Sequence, residues 1–172
     1  MHGFTLIELL LVIAILGILT ILGIVAFTSS LQKGRDSKRK NDLRQIGIAL
    51  EAYYADKKTY PIGSLGVIQC SDPATCTWGG PFSDGSTIYM TQLPQDDVAT
   101  QQYYYVSPDG SYFQLYARLE NSKDNDITHN GSGQSQVFLG TNCGNTSTTV
   151  HCDYGVSSTN KSPTDAQIIG YE

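Results

Sequence analysis

The sequence predicts an α+β protein, with one long N-terminal α-helical spine packed on a small antiparallel β-sheet head. Three observations carry that reading. An uncharged run follows Glu8 and stays apolar through Phe27. A proline-free stretch continues it to about Asp56, apolar on one stripe only. Aromatic segments then flank Pro108-Asp109-Gly110, a good hairpin signal.

Residues 4–28 read as a hydrophobic transmembrane and assembly helix. About twenty-four residues at ~1.5 Å rise make ~36 Å, enough to cross a ~30 Å hydrocarbon core with some tilt. A carboxylate nevertheless sits near the start of the run, at Glu8. A charge at a membrane-spanning position costs ~2.5–3.5 kcal/mol, so Glu8 calls for a partner and a task. Gly17 and Gly23 lie in the same run; each costs ~1 kcal/mol against Ala in a soluble helix but lets backbones approach in a bundle.

The stretch Gly3-Phe4-Thr5-Leu6-Ile7-Glu8, ahead of that apolar run, resembles the processing and assembly signature of the type IV pilin family, which includes the pseudopilins of type II secretion. The resemblance implies a leader of residues 1–3, cut between Gly3 and Phe4 by a prepilin peptidase, with the new amino terminus usually methylated. It also implies self-assembly into a helical homopolymer, an inner-membrane assembly platform and a motor ATPase. Cleavage would leave an amine on Phe4 about one turn from the Glu8 carboxylate. Opposite charges in low dielectric attract and relieve each other's desolvation. In subunits staggered by one turn, Glu8 of one helix meets the Phe4 amine of the next. The plainer alternative is a signal anchor with a stray Glu.

Residues 29–58 read as an amphipathic continuation of the helix. Polar residues dominate to about Asp42, and this part is expected to need no contact with the head. Leu43, Ile46, Leu50 and Tyr53 or Tyr54 then form one stripe that faces the head's sheet. Tyr60-Pro61 ends the helix, because the residue before proline is pushed out of the α region. From Phe4 to Asp56 such a helix spans ~80 Å. A filament has use for so long a spine; a tether does not.

Charge is lopsided. Residues 1–58 carry eight bases against five acids, whereas residues 59–172 carry three bases against eleven acids. A basic stem and an acidic head suit a staggered stack, although solvated surfaces account for the pattern equally well. A basic helix segment alone is weak evidence for nucleic acid, which is not expected as a partner. The basic cluster follows the apolar run, and Met1-His2-Gly3 holds no Lys or Arg, unlike pilin leaders. By the positive-inside rule alone the head would face the cytoplasm. The cysteines and the tyrosine-rich, Ser/Thr-rich head place it outside: a single-pass membrane protein before assembly, then part of a surface filament.

The head, residues 59–172, reads as a loop region (62–100) followed by strands at Gln101–Val106, Ser111–Leu119, Val137–Leu139 and about Thr148–Tyr154. The tail from Gly155 is too polar to assign. Four cysteines admit three connectivities; proximity favours Cys70–Cys76 with Cys143–Cys152, each closing a loop worth ~2–3 kcal/mol. A zinc site of Cys143, Cys152 and His151 or His129 is the rival, without the spacing of a common module. Pilin heads often carry a disulfide-bounded loop near the C-terminus, which the resemblance adds to the first reading.

No cofactor is expected. Glu120-Asn121-Ser122-Lys123-Asp124-Asn125-Asp126 is a weak calcium candidate, with Asp124 and Asp126 as ligands; the resemblance supports it, since major pseudopilins often hold calcium in a comparable loop. Asn130, Asn145 and Asn160 open N-glycosylation triplets of the kind that arise by chance in such loops. No nucleophile elbow, phosphate loop or metal pair is present in the sequence, and no enzymatic activity is expected. The function expected is that of a pilin, a structural subunit of a type IV pilus-like filament. The alternatives are a major pseudopilin of type II secretion, and a minor pilin or anchored adhesin-type binding module.

Overall fold

The computed structural model describes residues 5–70, 75–145, 149–165 and 167–172, without the side chains of residues 21–26 and of Thr75. One helix, α1 (Leu6–Lys57, 52 residues), dominates the chain. It runs for ~78 Å at the usual rise. Thr5 caps it: its hydroxyl accepts from the Glu8 amide and the Glu8 side chain reaches back to the Thr5 amide, a capping box that satisfies two otherwise orphaned donors. Lys58 closes the other end in the left-handed conformation, its amide donating to Tyr54 O at 2.8 Å.

The two halves of α1 behave differently. From Leu6 to Leu19 the large apolar side chains stand exposed, Leu6 at 80% and Ile7 at 74%. Gly17 likewise has open space around it, so the close packing read for it has no partner within the chain. Gly23 lies among the residues whose side chains are not described. Among the described residues no helix is long and apolar enough to cross a membrane. The second half buries Leu43, Ile46, Ala49 and Leu50 against the head. Tyr53, not Tyr54, extends that stripe, its ring 5.6 Å from Phe82 and 5.0 Å from Tyr89; Tyr54 is exposed and stacks from outside on the buried Tyr60.

Short antiparallel strands build the head. The central sheet is β6 (Tyr104–Val106), β7 (Gln114–Ala117) and β9 (Tyr154–Ser157), with β7 in the middle, Tyr105 opposite Leu115 and Leu115 opposite Val156. Side chains alternate across it. Phe113, Leu115 and Ala117 face the core shared with α1, while Tyr116 packs on the other side against Phe138 and the Cys143–Cys152 pair. Both faces are covered, which leaves every residue of β7 buried.

Three expectations for the head change. Residues 62–100, expected as loop, contain β1 (Gly63–Ser64), β2 (Val67–Gln69), β3 (Thr75–Cys76), β4 (Phe82–Ser83) and β5 (Ile88–Met90). Each has two or three residues, too few to show an alternation. The tail, left unassigned, carries most of β9 and all of β10 (Ile169–Tyr171), which pairs with β8 (Gln136–Phe138) through its backbone. The strand expected about Thr148–Tyr154 begins only at Tyr154, with Cys152 making a single bridge to Phe138. The hairpin turn forms as expected. Gly110 takes φ +76°, and a Cβ there would run into Thr59 and Tyr60 O.

Candidate assembly site

At the stem's tip, Glu8 is exposed, and its Oε2 accepts from the Thr5 amide at 2.9 Å and the Thr5 hydroxyl at 2.7 Å. Gly3 and Phe4, the processing and assembly residues expected beside it, lie outside the described residues. The tip thus presents a carboxylate, held by its own cap, at the head of a column of exposed Leu, Ile and Val.

The stem's polar stretch does something the sequence did not suggest. Residues 31–42, expected to be free of the head, bury Asp36 at 1%, Arg39 at 2% and Asp42 at 6% exposure. Arg39 reaches Asp96 through two nitrogens (Nε–Oδ2 2.6 Å, Nη2–Oδ1 2.9 Å), Asp36 at 2.7 Å and Glu120 at 2.9 Å. Burial works against its charge, but the bonds to Asp96, Asp36 and Glu120 outweigh burial and raise its pKa. Asp36 also accepts from the Glu120 and Asn121 amides, both at 2.9 Å. Arg35 takes Glu120 as well and holds its carboxyl below the usual range. Beside them, Asp42 accepts from the Tyr103 hydroxyl at 2.7 Å and pairs with Lys38 at 2.9 Å.

These bonds correct the reading of the lopsided charge. Arg35, Lys38, Arg39, Lys40 and Lys57 all pair with acids of the same chain, so the stem meets its own acidic head. Sequence reasoning missed Arg39 and Asp96 because they lie 57 residues apart. The one local signal was spacing: Asp36 to Arg39 and Lys38 to Asp42 are i,i+3 and i,i+4 pairs on adjoining helix faces.

The cysteines pair locally, Cys70 with Cys76 and Cys143 with Cys152, with Cα separations of 5.6 and 5.3 Å. The zinc alternative therefore loses its thiolates. His129 contacts Ser122 O and His151 contacts Thr141 O instead. Asp124 and Asp126 close on an internal cation: Lys40 Nζ lies 2.5 Å from Asp124 Oδ1 and 2.6 Å from Asp126 Oδ2. Their bonds prevail over burial and raise the Lys40 pKa. A calcium ion on these two oxygens would have to displace that ammonium, and Lys33 and Lys123 line the same cavity. Calcium asks for six to eight oxygens, and among the described residues no group of three or more His, Cys, Asp or Glu is placed to share an ion. The acidic pair as it stands does not fit calcium.

Residues 1–27 match the family model of the prokaryotic N-terminal methylation motif. The chain is 30% identical over 133 residues to type II secretion system core protein G of Pseudomonas aeruginosa, covering 72% of this chain and 89% of the relative. This chain belongs to that family. The proteins of the same description from Aeromonas hydrophila (33% over 95 residues; 55% of this chain, 65% of the relative) and Klebsiella pneumoniae (32% over 96; 55% and 67%) agree. No solved structure matches. As a core protein G family member the chain is a pilin-like subunit, and the exposed apolar column behind Glu8 coincides with its methylation motif.

Proposed function

We propose that this subunit inserts into a membrane through residues 4–28, is cut between Gly3 and Phe4 by a prepilin peptidase, and is drawn into a helical homopolymer of the secretion pseudopilus type. A motor ATPase and an inner-membrane platform drive extraction, and the head stays outside the cytoplasm. One observation carries the reading. The first half of α1 exposes its large apolar side chains to nothing of its own, with a carboxylate at the tip. Burying such a column against lipid and then against other copies contributes ~25 cal/mol per Å². Membrane insertion is supported by the sequence, which holds no Asp, Glu, Lys or Arg from Leu9 to Gln32. The relatives' description favours secretion; the two Cys-closed loops favour the second reading, a surface pilus.

Glu8→Ala tests the mechanism. The variant should insert and be cut normally, as read by the mass of its N-terminus, yet give few sheared filaments by electron microscopy. Gly3→Leu should block cutting. Glu8→Ala filaments of ordinary abundance and symmetry would refute the role given to the carboxylate. Between the two fibre readings, deletion of the chain should stop type II export and leave surface attachment intact.

A further inference from the structure

The head holds an open cavity of about 260 Å³ that assembly through the stem does not use. Its lining draws on the segments that follow each disulfide. Thr77 and Trp78 follow directly on Cys76, Asn145 lies two residues past Cys143, and Gln95, Gln101 and Gln102 supply the wall between. Backbone bonds knit these segments together: Gly79 N donates to Leu93 O at 2.9 Å, Gln102 N to Cys143 O at 2.8 Å and Asn145 N to Thr100 O at 3.1 Å. The walls are therefore preformed, and little ordering accompanies binding.

Their chemistry is specific. None of the lining side chains carries a charge, so an ionic ligand would find no counter-charge there. Four primary amides offer donors and acceptors together, the complement of hydroxyl groups, which also do both. Trp78 stands edge-on to Tyr103, ring centroids 5.8 Å apart at 89°, which holds the indole in place. Two buried polar atoms of lining residues, the donor Trp78 Nε1 and the acceptor Gln101 Oε1, have no hydrogen-bond partner among the described residues. Buried polar groups are normally satisfied; neither atom is open to solvent as it stands, so each meets a ligand hydroxyl only once its side chain turns toward the cavity.

We propose that this cavity binds a neutral sugar, one pyranose ring with its C–H face against Trp78 and its hydroxyls on Gln101, Gln102 and Asn145. The volume falls just below the ~300 Å³ at which pockets for drug-sized ligands begin, which suits a single ring. Each head carries one such cavity, separate from the stem that drives assembly.

Trp78 is the only tryptophan, so its emission in detergent-solubilised full-length protein reports on this site alone. Glucose, galactose, mannose and N-acetylglucosamine are titrated separately, with cationic glucosamine as the charged control. At least one neutral sugar should change the emission saturably, with half-saturation in the millimolar range. Gln101→Leu should weaken that binding about tenfold or more, with near-UV circular dichroism verifying the fold. Where Gln101→Leu does not fold, Gln102→Leu carries the test. No response to any of the four sugars, glucosamine binding as well as the neutral sugars, or a folded leucine variant that binds like the parent would each overturn the proposal.

Discussion

Replacing Arg39 by alanine is the sharpest probe of how the stem carries the head. The guanidinium is buried and serves three carboxylates, Asp96, Asp36 and Glu120. Two of them keep other partners in the variant: Asp36 retains the Glu120 and Asn121 amides, and Glu120 retains Arg35. Asp96 loses both of its guanidinium bonds and keeps the Val98 amide. Removing one side of a buried ion pair typically costs ~3–5 kcal/mol, mostly because the remaining charge is stranded. Set against ~4–8 °C per kcal/mol for a domain near 100 residues, the head should melt at least ~12 °C lower. Arg39→Lys, which keeps the charge but not the two-pronged geometry, should fall between. Arg35→Ala, with a third of its side chain exposed, should cost far less than Arg39→Ala. Thermal unfolding of full-length protein in detergent, followed by near-UV circular dichroism, measures all three. An Arg39→Ala protein within ~1 kcal/mol of the parent would refute a stranded charge as the cause.

Other outcomes follow from single contacts. Calcium or a chelator should leave the melting temperature of the parent unchanged, and Lys40→Gln should lower it and create a calcium response; a calcium response in the parent would show that the ammonium yields to metal. Burial lifts Asp153 to about 6, from 3.8. The fold therefore prefers it protonated, and its contribution to stability is full below pH ~4 and lost as pH rises through ~6. Asp153→Asn should accordingly gain on the parent across that window, by ~3 kcal/mol at most, and parallel stability curves would count against it. Leu115→Ala empties a fully buried site between α1 and the sheet, and should cost ~2–5 kcal/mol in the same melt.

The spine was legible in the sequence because its signals are local. An unbroken apolar run and a three- to four-residue stripe at Leu43, Ile46 and Leu50 each act within a few residues; the helix stops at Lys57, where Lys58 turns left-handed, ahead of the Tyr60-Pro61 expected to end it. The aromatic hairpin was legible for the same reason, since Pro108-Asp109-Gly110 dictates its own turn. What escaped were contacts between distant segments. Arg39 and Asp96 look like two ordinary solvated charges until the fold buries them together. Strands of two or three residues such as β3 and β10 owe their existence to a neighbour's backbone rather than to any pattern of their own. The cavity beside Trp78 is assembled from β2 and three separate loops that lie far apart in the sequence.

The clamp around Arg39 also has a mechanical meaning. It grips the rod from two head segments at once, around Asp96 and around Glu120, above an uninterrupted helix. Any pull or twist applied at the base of the rod must pass through those bonds before it reaches the hydrophobic seam at Leu43. Rod and head are therefore locked to each other where the polar stretch meets the head, ahead of the apolar seam.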